Sequence, residues 1–563
     1  MLQIRRNPVR RSTALLAAVF LVSASAQSSG DDSSSADASR EAALHILNRL
    51  GFGPRPGDVD RVLSVGIANY VEQQLHPEHI RDAAVEREVA ALPTLSMRTS
   101  DLIDTYEKPL REARRERARA LGKDGADAGD GVASDAEIEK IRASIPPERR
   151  PRRVVEELTA ARILRAADST RQLNEVLVDF WINHFNVYAA KGLDRILLTS
   201  YERDVVRPRI WGRFEDLLLA TAQSPAMLFY LDNARSVADE AHRPALQGRR
   251  ALFFGRGPLR DADLQRMARP GANAPTGVNE NYARELMELH TLGVDGGYTQ
   301  KDVTELARLL TGWSIDRRNG GGFVFRPALH DVGAKTILGH VFPPGGGMEE
   351  GEAMIRMLGR HPSTARHIAR ELCERLVADE PPAPLVDRVA RRFLSTGGDL
   401  RETVASIVTS PEFRDPQYYR AKVKSPFEYA VSAVRAVGGA TDGRAIAREI
   451  ARMGEPLYLC QPPTGYSDRA DAWVNTGALV ARLNFAMTLA DGSLPGTTAN
   501  LGGILPGRAP DSAATLEALS RALVGGDLSE STRQTIEQRA RSGEARPELL
   551  AGLILGSPEF QRQ

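Results

Sequence analysis

"NENYARELMELHTLGVDGGYTQKDVTELARLL", residues 279–310, decides how this chain folds. Tyr282, Leu286 and Leu289 recur at three- and four-residue spacing, which centres an apolar stripe on one side of a helix. Gly296-Gly297 breaks that pattern. Thr299, with Asp302 three residues later, signals a new helix start, and Val303, Leu306, Ala307 and Leu310 form the next stripe. Two amphipathic helices joined by a tight turn predict a mainly α fold, a multi-helix assembly of helix-turn-helix units.

The same grammar recurs along the chain. Ser169 with Gln172 predicts a helix whose Leu173, Val176, Leu177, Phe180 and His184 share one face, and a further helix is predicted over Phe214 to Ala222. "QSPAML", "TSPEFR" and "GSPEFQ" each end an apolar run and restart it. Ser224, Ser410 and Ser557 suit the cap position, and Pro225, Pro411 and Pro558 suit the first helical turn, where no N–H is missed. One small β hairpin insertion is expected near 322–340, with Phe323 to Arg326 paired to Lys335 to Leu338.

Composition sets the class. Of 563 residues, 42% are hydrophobic and 26% charged, ordinary values for a globular protein. The 74 basic and 73 acidic side chains leave a net charge of +1, and aromatics are only 6%. That argues against nucleic acid as a partner.

At the N-terminus four arginines in "MLQIRRNPVRRS" precede the apolar "TALLAAVFLV". Ala24-Ser25-Ala26 then supplies small residues, so a secretory signal peptide over 1–26, cleaved after Ala26, is expected. The apolar run is too short to span a membrane, and no later run is apolar enough. The expected location is periplasmic or secreted, by Sec rather than twin-arginine export. Residues 27–40 read as a disordered Ser-rich leader. A single large helical domain is expected over 41–563, interrupted by a charged insertion at about 111–153. Cys373 and Cys460 fit one disulfide or two separate buried thiols equally well.

The segments "NRLGFGPRPGDVDRV", "FWINHFNVY", "MLFYLDNARS", the opening stretch, "FRPALHDVGAKTILG", "HPSTARHIARELCERLVADEPP", "KVKSPFEYAVSAVRA" and "QPPTGY" succeed one another in this chain. In that order they resemble the bacterial family catalogued as domain of unknown function 1800. The resemblance implies an exported protein, often encoded beside a second exported family of alkaline-phosphatase-like fold. It implies no activity and assigns no residue a role. The charged insertion matches no motif of that family.

Candidate chemistry concentrates in three places. On the helix that starts near Asn279, Asn281, Arg284, Glu285 and Glu288 fall within an arc of about 100° opposite the apolar stripe. They fit a solvated face with i,i+4 pairing, or a polar cleft with Glu285 as acid–base group and Asn281, Arg284 and Glu288 as binding residues. His290 projects about 160° away from Glu288, which argues against a metal held by Glu285, Glu288 and His290. No metal site and no cofactor are expected.

His184 sits on an apolar face, as a core histidine or as a base at a cleft floor. His330 and Asp331 fit turn chemistry, or a loop over a ligand in which His330 is catalytic and Asp331 binding. No G-x-S-x-G, H-E-x-x-H, P-loop, haem-attachment or dinucleotide motif is present. The expected function is a periplasmic hydrolase-like enzyme acting on an envelope or extracellular polymer through His184, Glu285 and His330. The alternative is a non-catalytic scaffold for an exported partner of alkaline-phosphatase-like fold.

Overall fold

The computed structural model describes residues 31–120, 145–244, 277–316, 320–505, 511–541 and 546–563. The expected signal peptide and its Ala26 cleavage site lie outside the described residues, as does 121–144 of the expected insertion.

Helices dominate. Phe214–Ala222 spans the predicted bounds, and the Thr299–Asp302 capping box opens Gln300–Leu309. Ser224 and Ser557 cap Pro225–Tyr230 and Pro558–Gln561 through backbone amides, with proline in the first turn. Ser410 accepts the Phe413 amide at 3.1 Å, but the chain then makes only a single 3₁₀ turn, Glu412–Arg414. Ser169 departs from its prediction. Its hydroxyl accepts the Arg171 amide and donates to Asp82, while Gln172 turns its amide onto the Ser169 carbonyl. The helix therefore begins at Gln172, without a side-chain cap.

Helix Asp31–Arg49 is anchored in the core through Ala43, Ile46 and Leu47. One expectation is corrected. The single 323–338 hairpin is replaced by two. Strand β1 (Trp313–Ile315) pairs antiparallel with β2 (Phe323–Phe325), and β3 (Lys335–Ile337) pairs with β4 (His340–Phe342). The β3–β4 turn is Leu338-Gly339, both at positive φ, which matches the strand twist. The Trp313 ring packs edge-on to Phe323 at 5.3 Å and draws β2 back to β1.

One apolar cluster runs from Ala43 to Phe560. Cys373 and Cys460 are both buried and unbonded. The last residues close onto the middle of the chain, as Lys422 and Gln563 exchange backbone hydrogen bonds at 3.2 and 2.9 Å and Lys424 N donates to Gln561 O.

Asp194, at the start of Asp194–Ser200, is fully buried, and neither of its carboxylate oxygens has a hydrogen-bond partner among the described residues. Burial drives its pKa well up, Lys191 opposes and Asp232 adds to the rise. The folded chain therefore holds a proton that the unfolded chain releases, and stability falls as pH climbs from the unfolded pKa through the folded one. Asp194→Asn removes that dependence. Its urea midpoint is expected to exceed the parent's by a margin that grows from pH 5 to pH 8, each unit of elevation being worth about 1.4 kcal/mol. A constant margin would show that Asp194 folds ionised.

Candidate functional site

The chain's charge converges elsewhere than in the opening stretch. Helices Gln172–His184 and Pro362–Leu376 and the segment 455–468 enclose a two-chambered cleft. The inner chamber, a narrow space of about 30 Å³, is lined by Arg162, Asp179, Arg375, Glu455 and Tyr458 among others. The outer and wider one, about 190 Å³, is lined by His184, Glu371, Glu374, Thr464 and Tyr466. Phe180, Asn183, Tyr466, Ser467 and Asp468 belong to both, so the chambers adjoin along these residues.

Helical spacing explains how one helix serves both chambers. On Pro362–Leu376, Glu371 and Glu374 stand at i,i+3 and share the outer chamber, while Arg375 turns into the inner one. Arg375 is the hub. Its guanidinium reaches Asp179 at 3.0 Å, Glu428 at 2.6 Å and Asp468 at 3.1 Å. Asp179 is also held by Arg162, and Glu428 accepts from the Gln563 amide at 3.0 Å. Burial works to raise Glu428, but Arg375 holds it below the ordinary carboxylate range. Glu455 forms no ion pair among the described residues. Burial, with Asp179 adding, pushes it up to about 8, and one oxygen accepts the Phe427 amide at 2.7 Å.

In the outer chamber the two helical carboxyls part ways. His184 Nδ1 lies 2.7 Å from one Glu371 oxygen and His367 Nε2 lies 3.4 Å from the other. Burial favours protonation of Glu371, yet these two imidazoles hold it below its usual value. Burial lifts Glu374; Lys422 opposes and Asp468 reinforces the rise. None of the described side chains makes a hydrogen bond to Glu374. Behind His184 lies buried His290, its pKa lowered by burial and then by His184 and His367, with Nε2 unpartnered among the described residues.

The rim is pinned. Asn183 exchanges two 2.7 Å hydrogen bonds with the Tyr466 backbone, and Asn186 donates to the Cys460 and Pro462 carbonyls. Tyr230 donates to the Gln461 carbonyl at 2.6 Å. Gly465 makes the closest approach, at φ +70°, and a Cβ there would lie 2.4 Å from the Asn183 carbonyl oxygen. Gly465→Ala is therefore expected to cost about 1–2 kcal/mol for the left-handed backbone alone. It should lower the melting temperature and open 461–466 to limited proteolysis. Unchanged protection would mean that the rim is not held by this contact.

The three expected candidate clusters do not assemble into one site. Of His184, Glu285 and His330, only His184 lines the cleft, and no described contact joins it to the others. Arg284 donates to Gln300 at 2.8 Å and pairs with Glu280 at 3.5 Å, and Tyr298 donates to Glu288. Asn281 donates to the Leu231 carbonyl at 3.4 Å. Glu285 is half-buried, its pKa raised by burial and then by Glu288, with Arg284 opposing. Neighbouring segments thus supply partners that the isolated pattern lacked.

His330 is buried, with Nδ1 2.8 Å from the Thr311 carbonyl, and Asp331 takes two hydrogen bonds from Arg308 and one from the Gly333 amide. That is turn chemistry locked by a salt bridge. The cleft residues that sequence reasoning missed were marked only faintly, by the Glu371–Glu374 spacing and by "QPPTGY" with its glycine.

With that geometry in hand, comparison with known proteins adds one finding. Residues 45–562 match the profile of a family described as "Protein of unknown function (DUF1800)". No curated protein and no solved structure matches.

Proposed function

Because the chain belongs to the DUF1800 family, whose description leaves the chemistry open, we propose a function from the cleft itself: exported, hydrolase-like acid–base cleavage of an envelope or extracellular polysaccharide. One observation carries this reading. Two carboxyls three residues apart on one helix face the same chamber, and their surroundings push their pKa values in opposite directions. Such a split separates a proton donor from an ionised partner, the pair that glycosidic bond cleavage uses.

Glu374 is the donor to the leaving oxygen. Glu371 is the carboxylate that stabilises developing positive charge or directs a water, and His184 and His367 keep it ionised. Asp468 sustains the protonation of Glu374, and Phe180 and Tyr466 provide ring faces in the chamber wall. The arginines and small-residue site of the first 26 residues support export. No helix is long and apolar enough to cross a membrane among the described residues.

A second reading, docking of an exported protein partner, is favoured by exposed Leu459, Val474, Leu479, Val480 and Leu483, which crowd one short stretch beside the cleft rim. The deciding assay measures new reducing ends released from a panel of cell-wall and secreted polysaccharides by the purified mature chain. Release by the parent that Glu374→Gln lacks supports cleavage. Equal release by both, or none from any polymer, overturns it.

A further inference from the structure

A second cluster lies far from the cleft in the chain, where helix Ile67–Leu75 ends in "LHPEH". Pro77 cannot continue the helix's hydrogen-bonding, so the chain tightens into a 3₁₀ turn, Pro77–His79. With about three residues per turn, that geometry brings positions i and i+3 into line. His76 and His79 therefore come onto one side, with rings stacked at 5.9 Å and 18°. One ligating atom from each of His76, Glu78 and His79 lies within 4.8 Å of the others.

The orientation of His76 is set from behind. Glu72, one helical turn earlier, lies 3.3 Å from His76 Nε2, and Glu78 lies 3.3 Å from Nδ1 on the other side of the ring. A carboxylate beside the far nitrogen of an imidazole is the usual outer support of a metal-bound histidine. Two ligands on a tetrahedral zinc at about 2.1 Å are themselves about 3.4 Å apart.

A cation already stands against these atoms. The Arg401 guanidinium is 3.1 Å from His76 Nδ1 and 3.3 Å from Glu78. It is otherwise held by the Leu75 carbonyl and by the Trp211 ring face. His79 and Glu78 are exposed, leaving an open path from solvent.

We propose that His76, Glu78 and His79 form a surface binding site for a borderline-soft divalent cation of the zinc class, which displaces the Arg401 guanidinium. Two imidazoles and one carboxylate suit zinc over magnesium, which prefers oxygen ligands and keeps its water. Three protein ligands leave a coordination position for water or for a donor from another molecule.

The test uses tag-free, chelator-treated full chain titrated with ZnCl₂ against a chromophoric chelator, with MgCl₂ as control. His79→Ala and Glu78→Gln, both at exposed positions, should each weaken zinc binding at least about tenfold. Arg401→Gln should strengthen it, because a competing charge is gone. Zinc binding unchanged in the His76→Ala/His79→Ala double variant overturns the site, and an Arg401→Gln variant that binds no more tightly overturns the displacement. Magnesium competing equally with zinc overturns the assigned class.

Discussion

Arg375→Met is expected to destabilise the folded chain by about 3–5 kcal/mol at neutral pH, the cost of leaving buried charge without its partner. Three carboxylates, Asp179, Glu428 and Asp468, converge on this one guanidinium, which is nearly sealed from solvent. Methionine keeps most of the apolar stem, so the loss reads the charge rather than the packing.

The deficit should depend on pH with a definite sign. Arg375 holds Glu428 below its unfolded pKa, so its contribution is present above the unfolded value and lost as pH falls through the folded one. Parent and variant should therefore converge in acid, read as urea midpoints between pH 4 and pH 8. A variant as stable as the parent at pH 8 would show that Arg162 and Lys422 suffice for these carboxylates.

Glu374→Gln is expected to lower polysaccharide cleavage by about 10²–10⁴-fold, the range that a positioned proton donor contributes, while leaving the melting temperature close to the parent's. The fold should tolerate the change because no described hydrogen bond depends on that carboxyl. In the parent, activity should fall as pH rises through the elevated pKa of Glu374 and fall again as pH drops through the lowered pKa of Glu371. The variant should lose the alkaline limb alone. A full bell in the variant would assign the donor to another group, Glu455 being next by its position and protonation.

The helical frame was legible because its signals are local. Apolar stripes, the Thr299–Asp302 box and the Ser-Pro caps each act within four residues. The hairpins were harder, since β1 and β2 are three residues each, too short for alternation to show, and the Trp313–Phe323 ring contact between them joins residues ten positions apart. The cleft was nearly illegible. Glu371 and Arg375 look like any solvated helical charges until His184 and Glu428 arrive from 187 positions upstream and from the next capping box downstream. The polar face of 281–288 likewise finds partners that its own pattern does not announce, since Gln300, Tyr298 and Thr304 contact that face or its neighbouring Glu280.

The pairing of residues 561–563 with 422–424 sets a timetable for the protein's assembly. Gln563 braces Glu428, Glu428 braces Arg375, and Arg375 gathers Asp179 and Asp468. A chain made or threaded from its N-terminus can form its capped helices as they emerge, but the charge cluster of the cleft stays incomplete until residue 563 arrives. Loop-closure entropy over that span must be met before the contacts return it. The complete charge cluster of the cleft is thus tied to the docking of residues 561–563 on 422–424.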